Sequence, residues 1–317
     1  MASQQTAPRL TANDNTGFGT NPDNYGGRFV NKDGSFNVRK EGVPFLKRFS
    51  LYHSMLNMPA LKFFGTLFLF YLTVNFLFAW IYFFIGKTQF QGILVDGFFN
   101  IFKEMFFFST ETFTTVGYGR VNPVGDGANS VAAAESMLGF LSFAVATGLL
   151  YGRFSRPRAF LVFSKEALIS PYQDGTALMF RFAAYKDNHT LTNLEIRVNI
   201  AMQLDEKGKR VNKFYDLDLE RSRVESLPMN WTIVHPINEK SPLNSHTTEE
   251  LKKADVELYV SVRAFDDVYS NVVQQRTSYT YEEIVFNRKF VQMYHESVDG
   301  RTTIVDLQKI DEHNVVK

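Results

Sequence analysis

The stretch of this chain with the clearest capacity for chemistry is Thr114-Thr115-Val116-Gly117-Tyr118-Gly119. Its two glycines alternate with residues whose side chains can point outward. Glycine adopts backbone angles that cost other residues energy, so consecutive carbonyls can line up along one side. A strip of that kind replaces the water around a dehydrated cation. Thr115 supplies the innermost hydroxyl and carbonyl, and the carbonyls of Val116, Gly117 and Tyr118 continue the ladder towards Gly119.

Two charges flank the strip. Glu111 lies four residues before Thr115, and Arg120 directly follows Gly119. A buried carboxylate is costly unless paired, so the spacing predicts a Glu111–Arg120 salt bridge bowing behind the strip. Thr114 completes the supporting set.

The strip needs elements that can hold it. From Phe63 to Ile85 no charged side chain appears, a span of about 34 Å at helical rise, long enough to cross a hydrocarbon core. Phe98 to Phe108 is aromatic-rich and predicts a short helix running to Thr112 or Phe113. Irregular backbone at membrane depth is tolerated only beside protein or a water-filled cavity, which a half-crossing helix and an extended return satisfy if several subunits enclose them. The negative carboxyl end of that helix favours a cation. Val131 to Tyr151 predicts a second span with Glu135 as its one formal charge. Its small residues permit close helix packing, Gly139 and Gly148 among them. Lys47, Arg48 and Lys62 flank the first span, and Arg153, Arg156 and Arg158 follow the second. By the positive-inside rule both termini are cytoplasmic and the strip faces outward. Two spans cannot enclose a pore, and a strip of this type requires four copies around an axis, so a cyclic homotetramer is expected.

The remaining sequence divides accordingly. Its 317 residues suffice for two domains, and 32 phenylalanines coexist with 21 % charged residues. The net charge of +1 gives no hint of nucleic-acid binding, and the absence of cysteine excludes disulfides and thiolate metal sites. Residues 1–27 are polar and read as a disordered tail without the apolar core of a signal peptide. Residues 28–44 read as a short strand segment that needs a partner sheet. Residues 45–58 suit an amphipathic helix at a membrane surface, Pro59 fits the first turn of the next helix, and residues 59–156 form the pore domain. Residues 157–317 carry short alternating segments separated by turns, which indicate a β-sandwich. The histidines lack ligand spacing, and no nucleophile elbow is present, so neither an enzyme nor a cofactor is expected.

Thr115–Gly119 is the known potassium-filter string, and further motifs extend the likeness. They are Arg28-Phe29-Val30 with Lys32-Asp33-Gly34, Glu111-Thr112, Arg153-Phe154-Ser155-Arg156-Pro157-Arg158, Ser241-Pro242-Leu243 and Arg276-Thr277-Ser278-Tyr279. In this order and spacing the chain resembles an inward-rectifier (Kir-type) potassium channel, most like the bacterial members, over nearly everything after residue 27.

The resemblance implies an α+β membrane protein: a two-helix pore with a pore helix and filter loop, an immunoglobulin-like cytoplasmic domain, and a homotetramer in the inner membrane. Potassium would be the permeant ion, held at Thr115, Val116, Gly117 and Tyr118. Tyr151, with Gly148, falls at the family's gate. Val268 to Ser270, including Tyr269, falls at its cytoplasmic constriction, where Asp266 and Asp267 would concentrate cations. Phe143 matches the cavity position at which strong rectifiers carry an acid that holds magnesium or polyamine blockers. An apolar residue there implies weak voltage-dependent block, which groups the chain with voltage-gated channels. Lys47, Arg48, Arg153, Arg156 and Arg158 form a basic cluster that implies binding of anionic lipid or phosphoinositide. The alternatives are a two-span channel gated by a cytoplasmic ligand and a non-conducting membrane receptor or scaffold.

Overall fold

The computed structural model describes residues 28–44, 47, 50–187, 189–206 and 209–316. The expected disordered tail lies outside these residues, as does Arg48. The chain divides into two compact units, Glu41–Arg156 and the described parts of Met1–Lys40 with Pro157–Lys317.

The first unit is helical. Helix α1 (Leu51–Asn57) starts at Ser50, whose hydroxyl accepts the His53 N–H. Helix α2 (Ala60–Ile85) follows directly. Pro59 occupies its N-cap rather than its first turn; there, too, no intrahelical bond needs the missing N–H. A two-residue strand β1 (Phe90–Gln91) pairs antiparallel with β2 (Asn122–Pro123), and the chain between them contains helix α3 (Phe98–Phe113). Helix α4 (Asp126–Phe154) completes the unit. Helices α2 and α4, with 26 and 29 residues, are long and apolar enough to cross a membrane. Phe68, Leu69, Phe84, Met137 and Phe140 remain exposed on them, an apolar surface suited to lipid or to further subunits.

Packing fixes α3 between the two long helices. Against α2 it sets aromatic rings, Phe102 lying 4.9 Å from Trp80 and Phe98 lying 5.0 Å from Phe83. Against α4 it sets backbone: a Cβ built at Gly139 would lie 2.0 Å from the Phe113 carbonyl oxygen. Glycine at 139 therefore serves close approach at the end of α3. Gly148 meets nothing within 4 Å.

The second unit is a β-sandwich. One sheet places β6 (Leu191–Glu206) at its centre, with β10 (Glu257–Asp266) on one side and β7 (Lys209–Asp216) and β8 (Arg223–Ser226) on the other; β11 (Asn271–Thr280) lies outside β10. The second sheet centres on β5 (Gly175–Ala184), paired with β3 (Leu161–Phe163), β4 (Ala167–Tyr172) and β9 (Asn230–Ile237). Strand β12 (Ile284–Phe286) runs parallel to β4. Alternating residues from both sheets, such as Leu178, Phe180 and Phe182 with Ile196, Val198, Leu258 and Val260, make the core. Each buried aliphatic or aromatic side chain of this kind contributes roughly 1.5–3 kcal/mol.

The segment expected as a strand at residues 28–44 forms instead a single Val30–Phe36 bridge within itself. It is fastened to the sandwich by side chains. The buried Glu257 carboxylate accepts the Phe29 and Val30 N–H groups, at 3.1 and 3.3 Å. The Thr277 hydroxyl donates to the Lys32 carbonyl at 3.1 Å, and Arg28 pairs with Glu283. Short backbone pairing is thus replaced by side-chain capping. Burial raises the Glu257 carboxyl above its usual range, against the opposing hydrogen bonds.

Candidate functional site

The Thr114–Gly119 strip leaves the carboxyl end of α3 and returns along it. The helix's last carbonyls, which have no intrahelical partner, take up the strip's amides. Thr115 N–H donates to the Thr112 carbonyl at 3.1 Å, and Val116 and Gly117 N–H both donate to the Glu111 carbonyl, at 3.0 and 3.3 Å. A trans peptide sets its carbonyl opposite its N–H, so the carbonyls of Thr114, Thr115 and Val116 point away from α3. Positive φ recurs at alternate residues: 59° at Thr115, 54° at Gly117 and 78° at Gly119. Glycine removes the steric penalty at two of the three. Above the strip the Asn122 amide donates to the Gly119 carbonyl at 2.7 Å.

The Glu111–Arg120 salt bridge is corrected. Arg120 pairs with Glu104, two helical turns before Glu111. The strip runs back along α3, so by Arg120 the chain has passed Glu111 and drawn level with Glu104, about 10 Å further along the helix. Glu104 carried a sequence signal, since it lies seven residues before Glu111 and so shares its face.

Behind the strip lies a buried polar cluster that the motifs do not announce. Glu135 of α4 has no exposed surface, and neither have Asn75 of α2 and Ser109 of α3. The Tyr82 hydroxyl donates to one Glu135 oxygen, and Ser109 Oγ bonds the other. Ser109 Oγ also lies 3.1 Å from Asn75 Oδ1. The one charge expected within the second span therefore ties together all three long helices.

Thr115 and Phe143 line one apolar cavity of about 940 Å³, together with Tyr71, Phe113 and Leu138. Tyr151 is exposed on α4. Arg153 donates to the Met58 carbonyl and Arg156 to Asn57 Oδ1, both at 2.6 Å; these guanidiniums fasten the end of α4 to the α1–α2 junction. Lys47 is exposed, and Arg158 belongs to the other unit.

In the sandwich, residues 267–270 are the loop between β10 and β11, with Asp267, Val268 and Ser270 exposed. The pairing of Asp266 with Asp267 as cation-concentrating groups is corrected at Asp266. That side chain is fully buried. Its Oδ1 accepts the Val268 and Tyr269 N–H groups at 2.9 and 3.1 Å, and its Oδ2 lies 2.6 Å from His189 Nε2. A carboxylate so occupied shapes the loop rather than facing ions.

Two helices long and apolar enough to cross a membrane, a shorter helix whose end cradles a strip of outward-facing carbonyls, and a separate β-sandwich define the class: an ion-channel pore with a β-rich accessory domain. Family comparisons agree. The inward rectifier potassium channel C-terminal domain matches residues 161–317, and the ion channel family matches residues 63–156. The chain is 32 % identical over 288 residues to the inward rectifier potassium channel Kirbac3.1 of Paramagnetospirillum magnetotacticum, covering 90 % of this chain and 95 % of that one. It is 29 % identical over 212 residues to inward rectifier potassium channel 4 of Homo sapiens and of Mus musculus, covering 62 % of this chain and 46 % of theirs. It thus spans about half the length of these mammalian relatives.

The chain belongs to the inward rectifier potassium channel family, whose members are ion channels rather than enzymes. The grouping with voltage-gated channels is corrected. The two spans carry Lys62 and Arg153 as their basic residues, one near the start of α2 and one near the end of α4. Neither has the row of arginines that a voltage sensor requires.

Proposed function

We propose that four copies of the chain surround one axis and conduct potassium passively, selecting it at Thr115, Val116, Gly117 and Tyr118. The observation that carries this is the strip's backbone. The amides of Thr115, Val116 and Gly117 are consumed by the end of α3, and positive φ falls on every second residue. The carbonyls left over substitute for the water of a dehydrated cation. The negative end of α3 adds to the attraction, and the potassium channels among the relatives support the choice of ion.

The basic flanks of both spans favour an inner-membrane protein with cytoplasmic termini. Tyr151 narrows the pore as its gate, with Gly148 beside it, and Phe143 lines the cavity below the filter and leaves magnesium or polyamine block weak. The exposed Asp267 lines the cytoplasmic constriction with Val268 and Tyr269. Anionic lipid or phosphoinositide is met by Lys47, Arg48 and Arg158. Arg153 and Arg156, already engaged by the α1–α2 junction, are the positions through which such a lipid would move the helices.

The test is ion uptake into liposomes holding the purified protein, comparing rubidium with sodium. Rubidium-selective uptake that Gly117→Asp abolishes is the expected result. Uptake that does not distinguish the two ions, or that survives the substitution, would sink the filter assignment. Strengthened polyamine block in Phe143→Asp tests the cavity position in the same vesicles.

A further inference from the structure

The four side chains behind the filter allow their protons to be counted. Asn75 Nδ2 donates to the Tyr71 carbonyl at 2.7 Å, which turns Asn75 Oδ1 towards Ser109. The Ser109 hydroxyl has one proton and faces two acceptor oxygens, Asn75 Oδ1 and a Glu135 oxygen. The other Glu135 oxygen accepts from Tyr82. Asn75, Ser109 and Glu135 are fully buried, so no bulk water completes the set. If Glu135 were a carboxylate, one of the two contacts to Ser109 would hold no proton. Turning the Asn75 amide over would cure that but set two carbonyl oxygens 2.7 Å apart.

We infer that Glu135 is a positioning residue that works as a carboxylic acid, donating from Oε1 to Ser109 Oγ, which in turn donates to Asn75 Oδ1. Each of the four contacts then holds one hydrogen: Glu135 to Ser109, Ser109 to Asn75, Asn75 to Tyr71, and Tyr82 to Glu135. The chain of bonds carries no net charge, as suits a site flanked by Phe90 and Phe108, whose rings lie 5.5 and 5.1 Å from that of Tyr82. It joins α2, α3 and α4 one turn before Gly139 meets the Phe113 carbonyl. The register of α3 against its neighbours, and with it the helix end that cradles the filter amides, is set there. The inference rests on the proposed filter only where flux is the readout.

Glu135→Gln is the direct test, because its amide nitrogen can donate to Ser109 while its oxygen accepts from Tyr82. Rubidium uptake and its ratio over sodium should stay within about twofold of the unaltered channel. Glu135→Leu, which leaves Ser109 and Tyr82 without their partner, should lower the ratio by about tenfold. The infrared difference between the unaltered protein and Glu135→Gln should contain the carbonyl stretch of a protonated carboxylic acid. Absence of that band would overturn the inference whatever the flux shows, so its failure is distinct from failure of the filter assignment. If Glu135→Gln does not assemble, Tyr82→Phe replaces it. Loss of the tyrosine hydrogen bond to the acid's carbonyl oxygen should move the band to higher frequency. A spectrum unchanged in that region would equally overturn the proposal.

Discussion

Two loops in this molecule present exposed residues and are held from behind by a carboxyl group with no exposed surface of its own. The proposed filter, Thr115–Gly119, is held indirectly: Glu135 positions α3, and the carbonyls at the end of α3 bond amides of the strip. The β10–β11 loop, residues 267–270, is held directly, because Asp266 accepts two of its amides and meets His189 on its other oxygen. Indirect support makes the filter's shape depend on helix packing across the whole membrane unit. Direct support makes the loop's shape a local property of one hairpin.

The largest effect should come from breaking the indirect support where there is no room to yield. Gly139→Ala places a methyl group against the Phe113 carbonyl, and overpacking of this kind costs about 3 kcal/mol. The expected outcome is loss of selective rubidium uptake together with lowered thermal stability of the assembled protein. Unimpaired selectivity would show that the filter tolerates movement of α3. Asp266→Ala should act next in size and only locally. Two partly buried amides and one imidazole lose their partner, at about 2 kcal/mol. Hydrogen exchange at Val268 and Tyr269 should accelerate while the rubidium-to-sodium ratio stays unchanged. A changed ratio would mean that the two supports are coupled. Glu104→Gln should act more weakly, because Arg120 is more than half exposed and such pairs contribute at most about 1 kcal/mol. A modest fall in selectivity is expected, readable in the same uptake assay.

The same contrast separates what the sequence makes legible from what it hides. The Thr115–Gly119 strip and the first apolar helix are visible because local sequence marks them: two glycines at fixed spacing, and an uncharged run from Phe63 to Ile85. Among the central sandwich strands β6 is the most visible, because Leu194, Ile196, Val198 and Ile200 alternate with Glu195, Arg197 and Asn199. Strand β4 contains Pro171, a residue that reads as a breaker. Yet β12 pairs only with residues 167–169 of β4, so Pro171 lies beyond the ladder that would have needed its N–H. The partner of Arg120 was hidden because the filter's return path, not its spacing, decides which glutamate it meets. Glu135 could be seen as a lone charge, but Tyr82 and Ser109 reach it from other helices, where no periodicity links them. Asp266 was misplaced for a similar reason: two adjacent aspartates at the end of a strand face opposite ways.

The N-terminal segment provides a third case, held by charge as well as by hydrogen bonds, and so offers a pH response that the other two supports do not require. Burial lowers the Lys32 ammonium from its usual value of 10.5 to about 8, although Glu283 at 3.3 Å pulls the other way. Arg28 and Asp311 also act on it, with smaller and opposite effects. In a released segment Lys32 returns to its ordinary value, so between about 8 and 10.5 the released form binds more protons than the docked form. Stability rises with pH wherever the open state holds more protons. Docking of residues 28–37 should therefore tighten as pH rises through that window and stay level just below it. The chain has no cysteine, so a spin label at Ser35→Cys would report on this segment alone, and its mobility should fall as pH rises from 8 to 10. Lys32→Met should remove the dependence, because it keeps much of the side chain's bulk and has no proton to lose. A label equally mobile across the window in the unaltered channel would mean that Glu283 offsets the burial of Lys32 in full, and that the segment is held by its hydrogen bonds and the Arg28–Glu283 pair without a contribution from Lys32 titration.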